Sequence, residues 1–174
     1  MEKWIDRKEI YQGTVFSVQT GKVELDDGII THREVVRHRG GVAIVPVLDD
    51  SIIFVRQYRI AIERDILEIP AGLMEKGEPP EAAARRELRE ETGFEAGTLL
   101  PGPQCYASCG YTDEKFHLYL ALDLKKAVRK LDFDERLEEV ILPLEEVERR
   151  IAEGEFEDAK TLIGLYTFFR LRGA

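Results

Sequence analysis

The sequence predicts an α/β protein: a mixed sheet between helices, with a strand-rich extension at its N-terminal end. Three observations predict it. The first third of the 174 residues consists of short apolar or loosely alternating runs broken by glycine and aspartate. A single, well-punctuated helix follows in mid-chain. After it, one more clear strand pattern gives way to helical stripes, and strands, helix, strands and helices in that order call for packed layers.

Residues 14–24 alternate loosely, and Asp27-Gly28 offers a tight turn before a second strand over 29–38. Gly40-Gly41 punctuates the chain. Residues 42–48 are an almost continuous apolar run, the pattern of a strand covered on both faces. Asp49-Asp50 turns the chain into another apolar strand over 51–58. A short strand over 66–69 leads into a loop holding Gly72 and Gly77. Pro79-Pro80 opens a helix over 81–92, since proline suits a first turn whose N–H groups lack partners. Gly93 follows it, where the left-handed conformation costs glycine nothing. Phe116, Leu118, Leu120, Leu122 and Leu124 keep period two through a strand. A further strand is expected over 137–142, and a helix over 144–153 with Leu144, Val147 and Ile151 on one stripe, stopped by Gly154. Asp158 can cap a last helix, in which Leu162, Ile163, Tyr166 and Phe169 are expected to be buried.

The length suits one compact core. Residues 1–40 are expected to be a β extension and 41–174 the catalytic domain, with no Pro- or Ser-rich linker between them. The formal net charge of −9 argues against charge-driven nucleic-acid binding, which uses a basic face. It leaves room for a nucleotide that reaches an acidic site through a bound cation. No apolar run approaches the roughly 18 residues that a membrane-spanning helix needs. No secretory pattern opens the chain, so a cytoplasmic location is the default expectation. Cys105 and Cys109 are too few for a disulfide scaffold and lack companion zinc ligands nearby.

The chemistry concentrates between Gly72 and Phe94, GLMEKGEPPEAAARRELREETGF. Glu87, Glu90 and Glu91 stand at i, i+3 and i+4, so three carboxylates share one helical face and repel. A hard divalent cation reverses the sign of that problem, because Mg²⁺ takes oxygen ligands and keeps several waters. The Ala71-Gly72-Leu73 turn can bring backbone carbonyls to the same face. Arg86 can hold Glu90, one turn on, or Glu78 from the loop, while Leu88 points away to anchor the helix. A solvated helix of alternating charge is the ordinary explanation for such a pattern. Against it stands the full spacing: Gly72, Glu78, Arg86-Glu87-Leu88, Glu90-Glu91, Gly93.

At every defined position that spacing resembles the Nudix box, and the likeness to the Nudix hydrolases extends from about Val42 to Leu171. The resemblance implies a loop–helix–loop box on a Nudix α/β/α sandwich. It implies Glu87 and Glu91 as principal metal ligands with Glu90 shared or close by, the Ala71 carbonyl as a further ligand, and Glu75 and Glu78 as outer ones. Two or three Mg²⁺ ions are expected, with Mn²⁺ an alternative. The stretches 54–59, 67–72 and 106–114 are similar to the ADP-ribose pyrophosphatase branch, as is the strand-rich N-terminus. That likeness implies a homodimer through the N-terminal strands, which also help to build the adenosine pocket. It places Arg59 on the substrate, and Arg33 and Val15 on the adenosine side. Where the branch usually has Ser-Pro-Gly, this chain has Ser108-Cys109-Gly110, which restores a backbone N–H and frees the loop.

The implied reaction is attack of water on a pyrophosphate, giving AMP and ribose 5-phosphate from ADP-ribose. Glu114 is the expected proton acceptor, with Glu90 the alternative. GDP-mannose, flavin or nicotinamide dinucleotides and dinucleoside polyphosphates compete as substrates. A module that senses nucleotides without hydrolysing them is the rival from another class, and it usually goes with a damaged box or an attached effector domain.

Overall fold

In the computed structural model, residues 1–131, 133 and 135–173 are described. The elements run β1 (Lys3–Trp4), β2 (Lys8–Gln12), β3 (Phe16–Glu24), β4 (Ile30–His38), β5 (Gly41–Leu48), β6 (Ser51–Arg59), β7 (Arg64–Glu68) and β8 (Ala71–Leu73). There follow α1 (Pro80–Thr92), β9 (Phe94–Tyr106), β10 (Lys115–Lys126), β11 (Leu137–Pro143), α2 (Leu144–Glu153) and α3 (Ala159–Arg172). The chain divides into two compact units: Met1–Gly40 with Cys105–Phe116, and Gly41–Gln104 with His117–Ala174. The loop around Cys109 thus belongs with the N-terminal strands.

The first unit is built on a four-stranded sheet. Strand β4 runs antiparallel along the whole of β3, from Phe16↔His38 to Glu24↔Ile30. Strands β1 and β2 take the other edge of β3. Strand β2 is exposed throughout, so backbone pairing and no apolar periodicity holds it, and the sequence carried no sign of it. From the other end of the unit, the Asp113 carboxylate accepts the His38 N–H at 2.9 Å and pairs with Arg37 at 3.0 Å.

The second unit carries a seven-stranded sheet in the order β11-β6-β5-β10-β9, with β7 on β6 and β8 on β5. Strand β5 shows why its apolar run is unbroken. Val42 and Ile44 pack with Ala83, Ala84 and Leu88 of α1 and with Ala121. Ala43 and Val45 join the opposite cluster, with Phe54, Leu118, Val147 of α2 and Leu165 and Phe168 of α3. Successive side chains point to opposite faces of a strand, so a helix layer on each side requires apolar residues at every position. Helix α1 on one face and α2 and α3 on the other form the α/β/α sandwich.

Four local expectations need correction. Residues 71–73 are a strand and no turn: Ala43↔Ala71, Val42↔Gly72 and Gly41↔Leu73 pair antiparallel. Strand β9 was hidden by Gly97, Pro101, Gly102 and Pro103. It lies at the end of the strand order, where two prolines of the same parity can turn their missing N–H groups to the open edge. Its two glycines let it lie close, since a Cβ at Gly102 would press on Leu118 and one at Gly97 on Asp123. Strands β1 and β2 also went unread, being short and exposed. On α3, Tyr166 is exposed, and burial falls on Thr161, Gly164, Leu165 and Phe168. The stripe is displaced because Gly164 brings the helix backbone against Val45, Ile69 and Leu118.

Asp158 caps α3 by accepting from the Thr161 N–H at 2.8 Å, and it pairs with Lys160 at 2.6 Å. Burial pushes its carboxyl up, but Lys160 and Thr161 outweigh this and hold it below the ordinary aspartate range. A depressed carboxyl contributes stability above its unfolded pKa and loses it as pH falls through the folded one. Asp158→Ala is therefore expected to cost about 1–2 kcal/mol near neutrality. In urea unfolding the gap from wild type should close as the pH is lowered below roughly 4.

Candidate active site

Helix α1 is placed by its apolar side and its punctuation. Pro80 occupies the first turn, and Gly93, at φ +72°, donates its N–H back to the Arg89 carbonyl at 2.9 Å. Leu88, Ala83 and Ala84 are fully buried against β5. The face carrying Glu87 and Glu91 is thereby turned inward beside β8, and both residues are buried, at 7% and 4% exposure. The Glu91 carboxylate accepts the Ala71 N–H at 3.0 Å. Gly72 lies directly over Glu87, and a Cβ there would fall on the Glu87 carboxylate. Glycine at this position is a matter of space, with φ outside the left-handed region.

Arg86 organises the rest. Its guanidinium forks onto Glu78 at 3.0 and 2.9 Å, reaches Glu87 at 2.7 Å and Glu90 at 3.1 Å, and donates to the Leu73 carbonyl at 3.0 Å. These bonds, the Glu78 fork first, raise the Arg86 pKa further. Glu78 is correspondingly lowered by Arg86 and accepts the Glu75 N–H at 2.9 Å. Of the two outer ligand candidates, then, Glu78 is an anchor for Arg86, and Glu75 contributes its backbone.

One guanidinium shared three ways does not satisfy this site. Burial pushes Glu87 up to about 7, against the pull of Arg86. The rise at Glu87, despite an ion pair at 2.7 Å, follows because Arg86 spends its best geometry on Glu78 and desolvation wins. Burial, and after it the charge of Glu87, carries Glu91 well above its ordinary value. Buried carboxylates that repel one another gain most from a hard dication, which takes oxygen donors and removes the repulsion. The all-oxygen donor set fits such an ion, and Gly72 leaves room for the Glu87 carboxylate itself. Among the described residues, no three His, Cys, Asp or Glu side chains are drawn together as a ready ligand set. Metal loading would require Glu87 and Glu90 to exchange Arg86 contacts for the ion.

Other expected residues fall in two places. Arg59 ends β6 in the second unit, and its charge reaches Glu91. Glu114 lies in the first unit, where its N–H donates to Thr112 Oγ1 at 3.1 Å and its carbonyl accepts from Ala107. No partner is found for its carboxylate among the described residues. Val15 lines a cavity of about 270 Å³ in the first unit with Phe16, Arg37, His38 and Arg39. Arg33 is outside it, forked onto Glu2 at 2.9 and 2.6 Å. Cys109 is exposed in a loop closed by Tyr111 and Thr112 N–H groups on the Ser108 carbonyl, and both cysteines are free. Sequence reasoning missed Glu135, whose charge adds to the upward push on both Glu87 and Glu91. It stands between β10 and β11, and its only signal in the sequence was an acidic residue in that connection.

A strand and helix here bury two carboxylates together, with an arginine in their field, an arrangement with the chemistry to take a hard cation. The family described as NUDIX domain matches residues 37–163, and the chain belongs to the Nudix family. It is similar to an ADP-ribose pyrophosphatase of Bacillus subtilis (strain 168), at 43% identity over 92% of this chain and 88% of that protein. It is also similar to a methanol dehydrogenase activator of Bacillus methanolicus, at 41% identity over 94% and 90%. A crystal structure of an ADP compounds hydrolase matches with a TM-score of 0.88 at 27% identity, covering 99% of this chain and 95% of that one.

Gly72→Ala should therefore displace the Glu87 carboxylate while leaving the fold intact. Titration calorimetry with Mn²⁺ is expected to show at least about tenfold weaker binding, with an unchanged far-ultraviolet circular dichroism spectrum.

Proposed function

We propose that this protein is a metal-dependent pyrophosphohydrolase of nucleoside diphosphate sugars that converts ADP-ribose to AMP and ribose 5-phosphate. The observation that carries the proposal is the buried pair Glu87 and Glu91, held against β8 with Arg59 in the field of Glu91. The names of the Bacillus subtilis relative and of the ADP compounds hydrolase support the substrate class.

In this proposal Glu87 and Glu91 hold Mg²⁺, or Mn²⁺ in its place, with Glu90 and the Ala71 carbonyl completing a site for two or three ions. Bound there, the cations would neutralise the diphosphate and lower the pKa of a water. Arg59 pairs with a diphosphate oxygen. The water oxygen ends on one phosphorus, and the bridging oxygen leaves with the other phosphate. Glu114 takes the proton that the water loses, its carboxylate having no competing partner among the described residues. Glu135 is the second acceptor to test, because its charge is felt at both Glu87 and Glu91. On the adenosine side, Val15 is supported by a cavity that offers the Phe16 ring and the cations Arg37 and Arg39. Arg33 is less well supported, since Glu2 already occupies its fork. The β extension, 1–40, is further proposed to join two copies into a homodimer. Ile10, Tyr11, Ile29 and Ile30 are large apolar side chains left exposed there.

Phosphate-product analysis with Mg²⁺ against ADP-ribose, GDP-mannose, NADH, FAD and diadenosine polyphosphates tests the substrate. AMP from ADP-ribose in clear preference is the expected result, and silence across the panel would favour a sensing module. Glu91→Gln is expected to lower kcat by at least about a hundredfold, as loss of a cation ligand should, without loss of folding. Comparing kcat for Glu114→Gln and Glu135→Gln assigns the proton acceptor, the larger loss being expected at Glu114. Sedimentation equilibrium should return twice the chain mass, and Ile10→Glu with Ile30→Glu should return the monomer.

A further inference from the structure

Arg59 does not hold its position alone. Its Nε donates to Glu68 Oε1 at 2.7 Å and its Nη2 to Glu68 Oε2 at 3.0 Å, a side-on fork that uses one edge of the guanidinium. Nη1, on the other edge, has no protein partner among the described residues. The arginine side chain is 42% exposed, whereas that of Glu68 is 3% exposed. A buried carboxylate therefore grips an arginine whose free edge stands in the open, within the field of Glu91.

Glu68 is itself tightly placed. It ends β7, where it pairs with Val55 across the ladder. Pro70 and Ala71 follow almost at once, so the strand that carries Glu68 leads straight into the backbone that bonds Glu91. Lys160 Nζ lies 3.7 Å from Glu68 Oε2 and 2.6 Å from Asp158, the cap of α3. Arg59, Glu68, Lys160 and Asp158 thus form a line of alternating charge. Its far end is the start of a helix, and its near end is a guanidinium with three unspent N–H groups, two of them on Nη1.

We infer that Glu68 is a positioning residue for substrate recognition: it locks the Arg59 guanidinium edge-on, so that Nη1 is presented to an oxygen of the diphosphate. The inference rests on the proposed role of Arg59 in contacting substrate. A long arginine side chain that is free before binding must be ordered when it grips an anion, and that ordering weakens affinity. The fork on Glu68 completes the ordering in the folded protein. It also leaves the opposite edge free, so the positioning carboxylate and the substrate do not compete for the same donors. Lys160 offsets the second negative oxygen, and a neutral amide at position 68 could accept from only one of the two donors.

A double-mutant cycle tests this, run with Mg²⁺ on the panel substrate that the wild-type enzyme cleaves best. Glu68→Gln is expected to raise KM about three- to tenfold, with a smaller change in kcat. Arg59→Ala should raise KM at least as much, and adding Glu68→Gln to it should raise KM no further. Should Glu68→Gln lack a cooperative melt, the same cycle with Glu68→Asp decides, since aspartate keeps the charge but withdraws it by one methylene. A wild-type KM in the Glu68 variant, or an equal rise in both backgrounds, would overturn the positioning role and leave that of Arg59 standing. A wild-type KM in Arg59→Ala would overturn both. Failure of the ADP-ribose assignment appears separately, in the wild-type enzyme's choice within the panel.

Discussion

The burial of Glu87 and Glu91 between α1 and β8 is the constraint on which the rest of the site depends. Removing two carboxylates from water on one helical face is unfavourable, and several features of the chain answer that cost together. Arg86 supplies a guanidinium, though one divided among Glu78, Glu87 and Glu90. The Ala71 N–H supplies a hydrogen bond to Glu91. Gly72 supplies room. What remains unbalanced is negative charge, which the divalent cation of the proposed function would offset.

The fold serves this constraint by holding α1 and β8 to the same strand. Strand β5 packs α1 through Val42 and Ile44 and pairs β8 through Gly41, Val42 and Ala43. Glu87, Glu91 and Ala71 thus share one rigid support, and their relative positions do not depend on a loop. The opposite face of β5, through Ala43 and Val45, is covered by α2 and α3. The cap of α3 connects back through Asp158 and Lys160 to Glu68 and Arg59. The helix cap and the proposed substrate contact are joined there by charge, while the platform itself rests on apolar packing.

A large part of this was legible in the residues. The spacing from Gly72 to Gly93 located the helix, its caps and the acidic face, because i, i+3 and i+4 periodicity maps directly onto a helical surface. The unbroken apolar run of β5 announced cover on two faces for the same geometric reason. Legibility failed where pairing overrides local pattern. Strand β9 contains two glycines and two prolines and is held by its neighbour β10, and β2 has no buried side chain at all. The burial of α3 was misplaced because Gly164, which lacks any apolar signal, is the residue at closest approach to the sheet.

Glu87 and Glu91 were already marked as ligands by spacing and family likeness, and Arg59 as a substrate contact by likeness alone. Which carboxylates are buried, and which one takes the best of Arg86, was decided only when the helix was seated on the sheet. Burial depends on what lies opposite, and a linear chain does not record it. Glu135 and Glu68 show this most clearly. Each is an ordinary glutamate in sequence, one in a connection and one at a strand end. The first matters because folding brings its charge to Glu87 and Glu91, and the second because β7 lies beside β6 and sets its carboxylate against Arg59. Electrostatic partnership acts through distances of a few ångströms, and only the tertiary structure sets those distances between residues far apart in the chain.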